Sequence, residues 1–190
     1  MCRITSRMPL KIIFPYLLLV LWTGTSMAAF DVMFEKIEQI NGSDTVSVKQ
    51  MRVRKFNRTI SVLDGIMDLK VLADDNYEIT IKAAYSSKGN NQFNQYPMKI
   101  APTKICEFVN NDYSEYYPFF EESTNFPKVG ECPIEPQEFY VKNMVLNSNT
   151  FPPYLPKGLW RLSIIVQTVG GENILSWIHV YFKLEDAGVF

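Results

Sequence analysis

Short runs of alternating polar and apolar residues constrain the fold of this chain more than any other feature. In the run NYEITIKAAY, apolar side chains occupy every second position from Ile79 to Tyr85, with Glu78, Thr80 and Lys82 between them. This period of two is typical of a β-strand. Similar runs are DTVSVKQMRVRKF, RTISVLDGIMDLKVL, EFYVKNMVLN, LWRLSIIVQTV and ILSWIHVYFKL. They predict an all-β fold of about eight antiparallel strands, arranged as a sandwich or an open barrel.

Turn-forming residues punctuate these runs. Predicted turns are LDG at Leu63–Gly65, ADDN at Ala73–Asn76 and SSKGNNQ at Ser86–Gln92. The last two runs are joined by GGEN at Gly170–Asn173, which predicts a β-hairpin. Several runs carry large apolar residues at both odd and even positions. We therefore expect either that both faces of a sheet are covered or that two sheets stand apart around a cavity.

One segment, from about residue 103 to 117, departs from the strand pattern. Its apolar side chains recur at intervals of three and four, at Ile105, Phe108, Val109, Tyr113, Tyr116 and Tyr117. This period predicts one short helix inserted among the strands. Thr103 is a suitable N-cap, and Pro118 should end the helix near Tyr116.

The first 28 residues have the organisation of a secretory signal peptide. Three cations precede the apolar run IIFPYLLLVLW, and Ser26 and Ala28 occupy the −3 and −1 positions of a cleavage site. The apolar run is shorter than the roughly 20 residues that span a bilayer. A signal anchor is the competing interpretation. We expect a secreted, extracellular mature chain, residues 29–190, that forms a single domain.

Secretion determines whether the cysteines can form a disulfide and whether the sequons can be glycosylated. Without the signal peptide the chain has two cysteines, Cys106 and Cys132. In an oxidising compartment we expect them to form one disulfide, with two free thiols as the alternative. Two N-x-S/T sequons, at Asn41 and Asn57, predict N-linked glycans at exposed positions.

The balance of charge argues against nucleic acid as a partner. The mature chain has sixteen Lys and Arg against twenty Asp and Glu, a net charge near −4, whereas nucleic-acid binders present a basic domain. One run, KQMRVRKFNR, is locally cationic. It has two interpretations: a patch for anionic lipid headgroups or an acidic partner, or an edge strand whose charges deter pairing with other chains. We favour the second.

The residues offer little for catalysis, so we expect no enzymatic activity. The single histidine, His179, lies within SWIHVYF, where a structural place on a strand face explains it better than a Ser-His-Asp triad. Zinc would require more His or unpaired Cys. Asp74, Asp75 and Asn76 lack the ligand spacing of a calcium loop. We predict no metal site and no cofactor.

A succession of short motifs resembles a known family. The motifs are FNRT at Phe56–Thr59, the LDG turn, Cys106-x-Phe108, CPI at Cys132–Ile134, FYVKNM, and LPKGLWRL at Leu155–Leu162. Their order resembles the insect domain-of-unknown-function family number 1091, a large set of small secreted proteins. That family is allied to the lipid-recognition (ML) superfamily, to which the CheB chemosensory proteins and the ganglioside activator protein also belong. The resemblance extends from Asn41 to Leu184.

The resemblance implies an immunoglobulin-like β-sandwich, or β-cup, with a hydrophobic cavity between its sheets. It also implies a role in binding a lipid or another apolar small molecule. The Cys106–Cys132 pair fits the family pattern. Many members carry a further cysteine near the mature N-terminus. The segment FDVMFEKIEQINGSDTVSV has none, so the family pattern implies no second bridge from this segment.

A lipid pocket should be concave and mainly apolar. The candidate lining residues are Met67, Leu69, Ile79, Ile81, Phe139, Val141, Trp160, Leu162, Ile164 and Val166, with Phe108, Tyr113 and Tyr116 of the helix at the rim. The alternative is that all of them form a closely packed core.

We therefore predict a binding protein for a lipid or another apolar small molecule, acting in chemosensation or lipid presentation. Presentation would add a membrane receptor or a lipid-bearing surface as a partner. The rival hypothesis is a secreted protein–protein interaction module with a solid core.

Overall fold

The computed structural model describes residues 30–57 and 60–186, and the predicted signal peptide lies outside them. The strands in these residues are β1 (Phe30–Asn41), β2 (Val46–Ser47), β3 (Arg52–Lys55), β4 (Ser61–Leu69), β5 (Tyr77–Ser86), β6 (Asn94–Lys104), β7 (Gln137–Met144), β8 (Gly158–Thr168) and β9 (Ile174–Asp186). Every strand pairing is antiparallel. The predicted all-β class is confirmed. No helix in the described part of the chain is both long and apolar enough to cross a membrane.

The strands form two sheets. The large sheet has the order β1-β9-β8-β5-β6. The small sheet is built around β4, which pairs with β2, β3 and β7. Both β7 and β3 pair with Leu63, and both β7 and β2 pair with Leu69. Because a strand has only two edges, β2 and β3 must lie along one edge of β4, with β7 on the other.

Register separates the large sheet into an inner and an outer face. Trp160 lies opposite Tyr85 on one side and Phe182 on the other. These three side chains project from the same face as Phe34, which packs against the small sheet, and we call it the inner face. The intervening positions, such as Ser163 opposite His179, project from the outer face. The predicted hairpin at Gly170–Asn173 is confirmed, because β8 and β9 pair directly across it.

The inner face of the large sheet is covered by three different parts of the chain. The β7–β8 connection covers Trp160 and Phe182, the small sheet covers Phe34, and the helical segment covers Ile79. Each part forms its own apolar cluster with the sheet. The sandwich therefore has two sheets, but the small one covers only part of the large one, near β1 and β9.

The turn predicted at Leu63–Gly65 is wrong. These residues lie inside β4, where the register with β7 shifts between Leu63 and Gly65. Gly65 has a φ of 133°, a conformation that L side chains rarely adopt. A Cβ on Gly65 would lie 2.1 Å from the Gln50 carbonyl oxygen. The glycine therefore permits close approach of two backbone segments within a continuous strand and does not form a turn.

The predicted helical segment is present but is divided. Helix α1 spans Ile105–Asn110 and α2 spans Asp112–Tyr116, followed by 3₁₀ helices at Tyr117–Phe119 and Glu121–Ser123; a further 3₁₀ helix lies at Ser148–Thr150. As predicted, the α-helical part ends at Tyr116, before Pro118. The two helices meet at Asn111, whose φ of −113° and ψ of −87° are not helical.

The predicted N-cap, Thr103, is wrong. Thr103 belongs to β6 and pairs with Ile79 of β5, and its hydroxyl donates to the Ala101 carbonyl. A residue distant in sequence binds an amide at the start of α1 instead. Asp75 Oδ1 accepts a hydrogen bond from the Cys106 amide at 3.1 Å. A carboxylate at this end of a helix also interacts favourably with the unpaired amides. The β4–β5 turn thus holds the beginning of the helical segment.

Candidate functional site

The predicted disulfide is present and pins the helical segment. Cys106 and Cys132 are bonded, with their Cα atoms 5.4 Å apart. Cys132 packs in the same cluster as Ile105 and Val109 of α1 and Ile79 of β5. The bridge therefore fastens α1 to the chain that leads into β7. The local sequence favours helix, and burial of Ile105 and Val109 selects the face that meets the sheet.

Aromatic rings connect the helical segment to the small sheet. Ring centroids 5.6–5.9 Å apart link six side chains in sequence: Phe108, Tyr113, Tyr117, Phe120, Phe126 and Phe139. We call this set the aromatic chain. It ends at Phe139, which is buried in β7. Contacts of this kind add to the stability gained from buried area.

Tyr113 is the polar anchor of the aromatic chain. Its hydroxyl donates to the Pro127 carbonyl at 2.7 Å. Burial raises the pKa of Tyr113, and the neighbouring Tyr117 and Glu131 raise it further. The hydroxyl is therefore protonated at neutral pH and serves as a hydrogen-bond donor in a structural role.

The structure does not bring the thirteen predicted lining residues together in one place. Six pack together where the helical segment meets the large sheet: Ile79, Ile81, Phe108, Tyr113, Ile164 and Val166. Trp160 and Leu162 belong to the cluster under the β7–β8 connection. Val141 packs between the sheets, while Met67, Leu69 and Phe139 lie on paired strands of the small sheet. Tyr116 is 41% exposed.

The clefts at the surface of the described residues include two that none of these thirteen residues lines. The first, which we call the intersheet cleft, has a volume of about 370 Å³ and is lined by Met33, Phe34, Glu35, Val53, Arg54, Lys55, Asn57 and Ser61. The second, which we call the outer cleft, has a volume of about 210 Å³ and is lined by Thr80, Lys82, Lys99, Ile100, Ala101, Pro102, Ile165 and Gln167. A role for the thirteen in ligand binding stays a prediction.

The intersheet cleft lies where an edge of each sheet meets the other. Its walls are β1, at the edge of the large sheet, and β3, at the edge of the small one. Phe34 and Val53 reach it from the apolar cluster between the sheets. Alternation along β3 places Val53 inward and its neighbours outward, so an apolar floor has a charged rim. Sequence reasoning missed Phe34 because its strand was not among the predicted runs.

The cationic run forms that rim. Arg52–Lys55 is β3, and among the described residues it pairs with β4 alone, which is the predicted edge position. Arg54 forms an ion pair with Asp64 at 3.3 Å and donates to Asn143 Oδ1. Asp64 Oδ2 also accepts from the Asn143 amide. This network fixes the Arg54 side chain, although a partly exposed pair of this kind contributes only about 0–1 kcal/mol.

Part of the chain is similar to a known protein family. Residues 78–162 match the family described as "Protein of unknown function (DUF1091)". The match runs from β5 into β8, slightly less than half of the chain, and includes both bridged cysteines. It supports the family resemblance, over a shorter range than the motifs from Asn41 to Leu184. No curated protein matches the chain.

His179 lies outside the family match, which ends at Leu162, and its surroundings are those of a structural residue. His179 lies on the outer face, with Ser163 and Glu38 opposite it on the two neighbouring strands. Its Nδ1 is 3.3 Å from the Tyr181 hydroxyl, which donates to Glu38 at 3.1 Å. No hydrogen bond joins Ser163 to His179 among the described residues. Burial, aided by Arg161, lowers the pKa of His179 and favours the neutral imidazole.

The residues of the ADDN turn, which were considered as calcium ligands, take part in local hydrogen bonds. Asp74 accepts hydrogen bonds from Asn76, and Asp75 accepts one from the Cys106 amide at the start of α1. No cluster of three or more His, Cys, Asp or Glu suited to a metal ion occurs within residues 30–57 and 60–186.

Both sequon asparagines are exposed. Asn41 ends β1, and Asn57 lies between β3 and β4 beside the intersheet cleft.

Proposed function

We propose that this protein binds a lipid or another apolar small molecule in the intersheet cleft. The observation that carries the proposal is a cleft of about 370 Å³ between β1 and β3, with Met33, Phe34 and Val53 in its lining. This volume falls within the range of about 300–1,000 Å³ typical of small-molecule sites. Burial of an acyl chain there would contribute about 0.8 kcal/mol per CH₂.

The rim of the cleft supports an amphiphilic ligand. Lys55 and Asn57 line the cleft, and Phe56 between them is 61% exposed. An exposed aromatic ring beside cations suits contact with the boundary between lipid headgroups and acyl chains. Phe56 would meet the ligand as it leaves a lipid surface, and Lys55 would pair with an acidic headgroup.

We also propose that the protein acts outside the cell and without catalysis. A disulfide persists most readily in an oxidising compartment, and Cys106 and Cys132 form one. His179, the one histidine of the chain, has Tyr181 as its neighbour and no hydrogen bond to Ser163 within the described residues. A role in chemosensation or in lipid presentation would follow from ligand binding in such a compartment.

The test is retention of a ligand by delipidated protein. The protein is incubated with a hydrophobic extract, repurified and analysed by mass spectrometry. We expect an apolar molecule to remain bound to the native protein and its amount to fall in Val53→Phe, which fills the cleft. Val129→Phe is the matched control, because Val129 is exposed and does not line the cleft. Thermal unfolding of both variants verifies that they fold.

A second pair of variants tests the rim. Phe56→Ala should slow ligand uptake from vesicles without lowering stability, since the ring is mostly exposed. Tyr154→Ala, which removes a ring that is 76% exposed elsewhere, should leave uptake unchanged. If no ligand is retained by the native protein, the apolar-ligand proposal is wrong.

The rival function is a protein–protein interaction module, and close packing favours it. Six of the predicted lining residues fill one cluster beneath the helical segment, which matches a solid core. A native protein that retains no ligand but binds another protein through its surface would support this alternative.

A further inference from the structure

The outer cleft lies beside a local defect in the large sheet. Between Ile79 and Ile81 of β5 there is one residue, Thr80, whereas two residues, Ala101 and Pro102, separate their partners on β6. This extra residue is a β-bulge, a feature enriched at sheet edges and near functional sites. Pro102 has no amide hydrogen to donate. The bulge therefore opens the sheet next to Thr80.

Thr80 contributes a polar group that has no partner. Its side chain is 5% exposed and lines the outer cleft. Thr80 Oγ1 is buried without a hydrogen-bond partner among the described residues. Buried polar atoms are nearly always hydrogen-bonded, so an unpaired one indicates a missing ligand, ion or water.

Two lysines lie side by side at the same cleft. Lys82 and Lys99 are directly opposite each other on β5 and β6, and both line the cleft. Like charges in this arrangement repel. Neither lysine forms an ion pair within the described part of the chain. Glu78, two positions before Thr80, accepts a hydrogen bond from Gln167 at 2.6 Å.

Further unpaired donors lie on the same outer face. Arg161 Nε and Trp177 Nε1 are buried without partners among the described residues. Trp177 is in one cross-strand row with Ile165 and Thr80. Neither Arg161 nor Trp177 lines the outer cleft, so the charge and the hydrogen-bond donor that could recognise an anion there come from Lys82, Lys99 and Thr80.

We propose that the outer cleft binds an anionic group, a phosphate or a carboxylate, between Lys82 and Lys99, with the Thr80 hydroxyl as a hydrogen-bond donor. The anion would relieve the repulsion between the lysines and satisfy the buried hydroxyl. The two clefts lie at opposite edges of the large sheet, with β1 at one edge and β6 at the other. This inference therefore does not depend on the apolar-ligand proposal.

Inorganic phosphate and acetate are the probes. Each is titrated into the native protein while the amide shifts of Thr80, Ala101 and Ile165 are followed by NMR. We expect saturable shifts, and an affinity about tenfold lower in Lys82→Gln/Lys99→Gln because charge-assisted hydrogen bonds are lost. Thr80→Val, which removes only the hydroxyl, should weaken binding in the same direction. Lys49→Gln/Lys128→Gln is the control with the same net charge and should bind as the native protein does.

Vesicles distinguish the source of the anion. Phosphatidylcholine vesicles with and without phosphatidic acid are compared in a flotation assay. Binding of free phosphate alone would assign the site to a soluble anion, and lysine-dependent binding to phosphatidic acid would assign it to a headgroup. The proposal is overturned if neither probe binds, or if binding is unchanged in Lys82→Gln/Lys99→Gln.

Discussion

Gly65 allows the backbone of β4 to pass close to the backbone at Gln50. Its φ of 133° and the 2.1 Å distance from a built Cβ to the Gln50 carbonyl oxygen exclude any larger side chain. We predict that Gly65→Ala lowers the free energy of unfolding by about 2–4 kcal/mol, measured by urea denaturation, through strain and displacement of the Gln50 backbone. The control is Gly89→Ala, where φ is 64° but no atom lies within 4 Å. Equal losses in both variants would contradict this account.

Tyr113 makes a prediction about pH. Burial raises its pKa in the folded state, so its contribution to stability is complete below the unfolded pKa of about 10 and declines as the pH rises above that value. Tyr113→Phe removes this titration and also the bond to Pro127, worth about 1 kcal/mol. The stability difference between native protein and variant, measured by urea denaturation, should be constant from pH 7 to 9 and shrink towards pH 11. A difference that does not change over this range would contradict the assignment.

At the scale of elements, the Cys106–Cys132 bridge and the aromatic chain hold the helical segment in place. Replacing both cysteines by serine should lower the free energy of unfolding by about 3–4 kcal/mol, since the bridge closes a long loop in the unfolded chain. Hydrogen exchange should rise mainly between residues 105 and 134. If ligand retention stays unchanged in this variant, the bridge serves stability alone. Unchanged exchange across the segment would show that the aromatic chain holds it without the bridge.

Elements that follow local rules could be predicted, and those that depend on distant contacts could not. The alternation of polar and apolar residues predicted β5, β8 and β9. The turn residues Gly170–Asn173 predicted the hairpin that joins β8 to β9. β4 continues through Gly65 only because its pairing with β3 and β7 outweighs the local turn signal. The start of α1 was misplaced for the same reason, because pairing of Thr103 with Ile79 extends β6.

At the scale of the whole molecule, the inner face of the large sheet is shared among three covering segments. The apolar pattern predicted which residues face inward, for example Trp160 and Ile164, but a period of two does not tell what packs against them. The intersheet cleft is lined by β1 and β3, strands that are adjacent in neither sequence nor sheet. Such a site follows from tertiary arrangement and could not be predicted from the residues that form it.

We propose above all that an apolar molecule binds between β1 and β3. Photo-crosslinking of delipidated protein with a diazirine-bearing fatty acid, followed by peptide mapping, tests it most directly. We predict adducts on the peptides that contain Met33–Glu35 and Val53–Lys55, which excess unlabelled fatty acid suppresses and Val53→Phe reduces. Absence of adducts, or adducts confined to exposed side chains such as Tyr154 and insensitive to competitor, would contradict the claim.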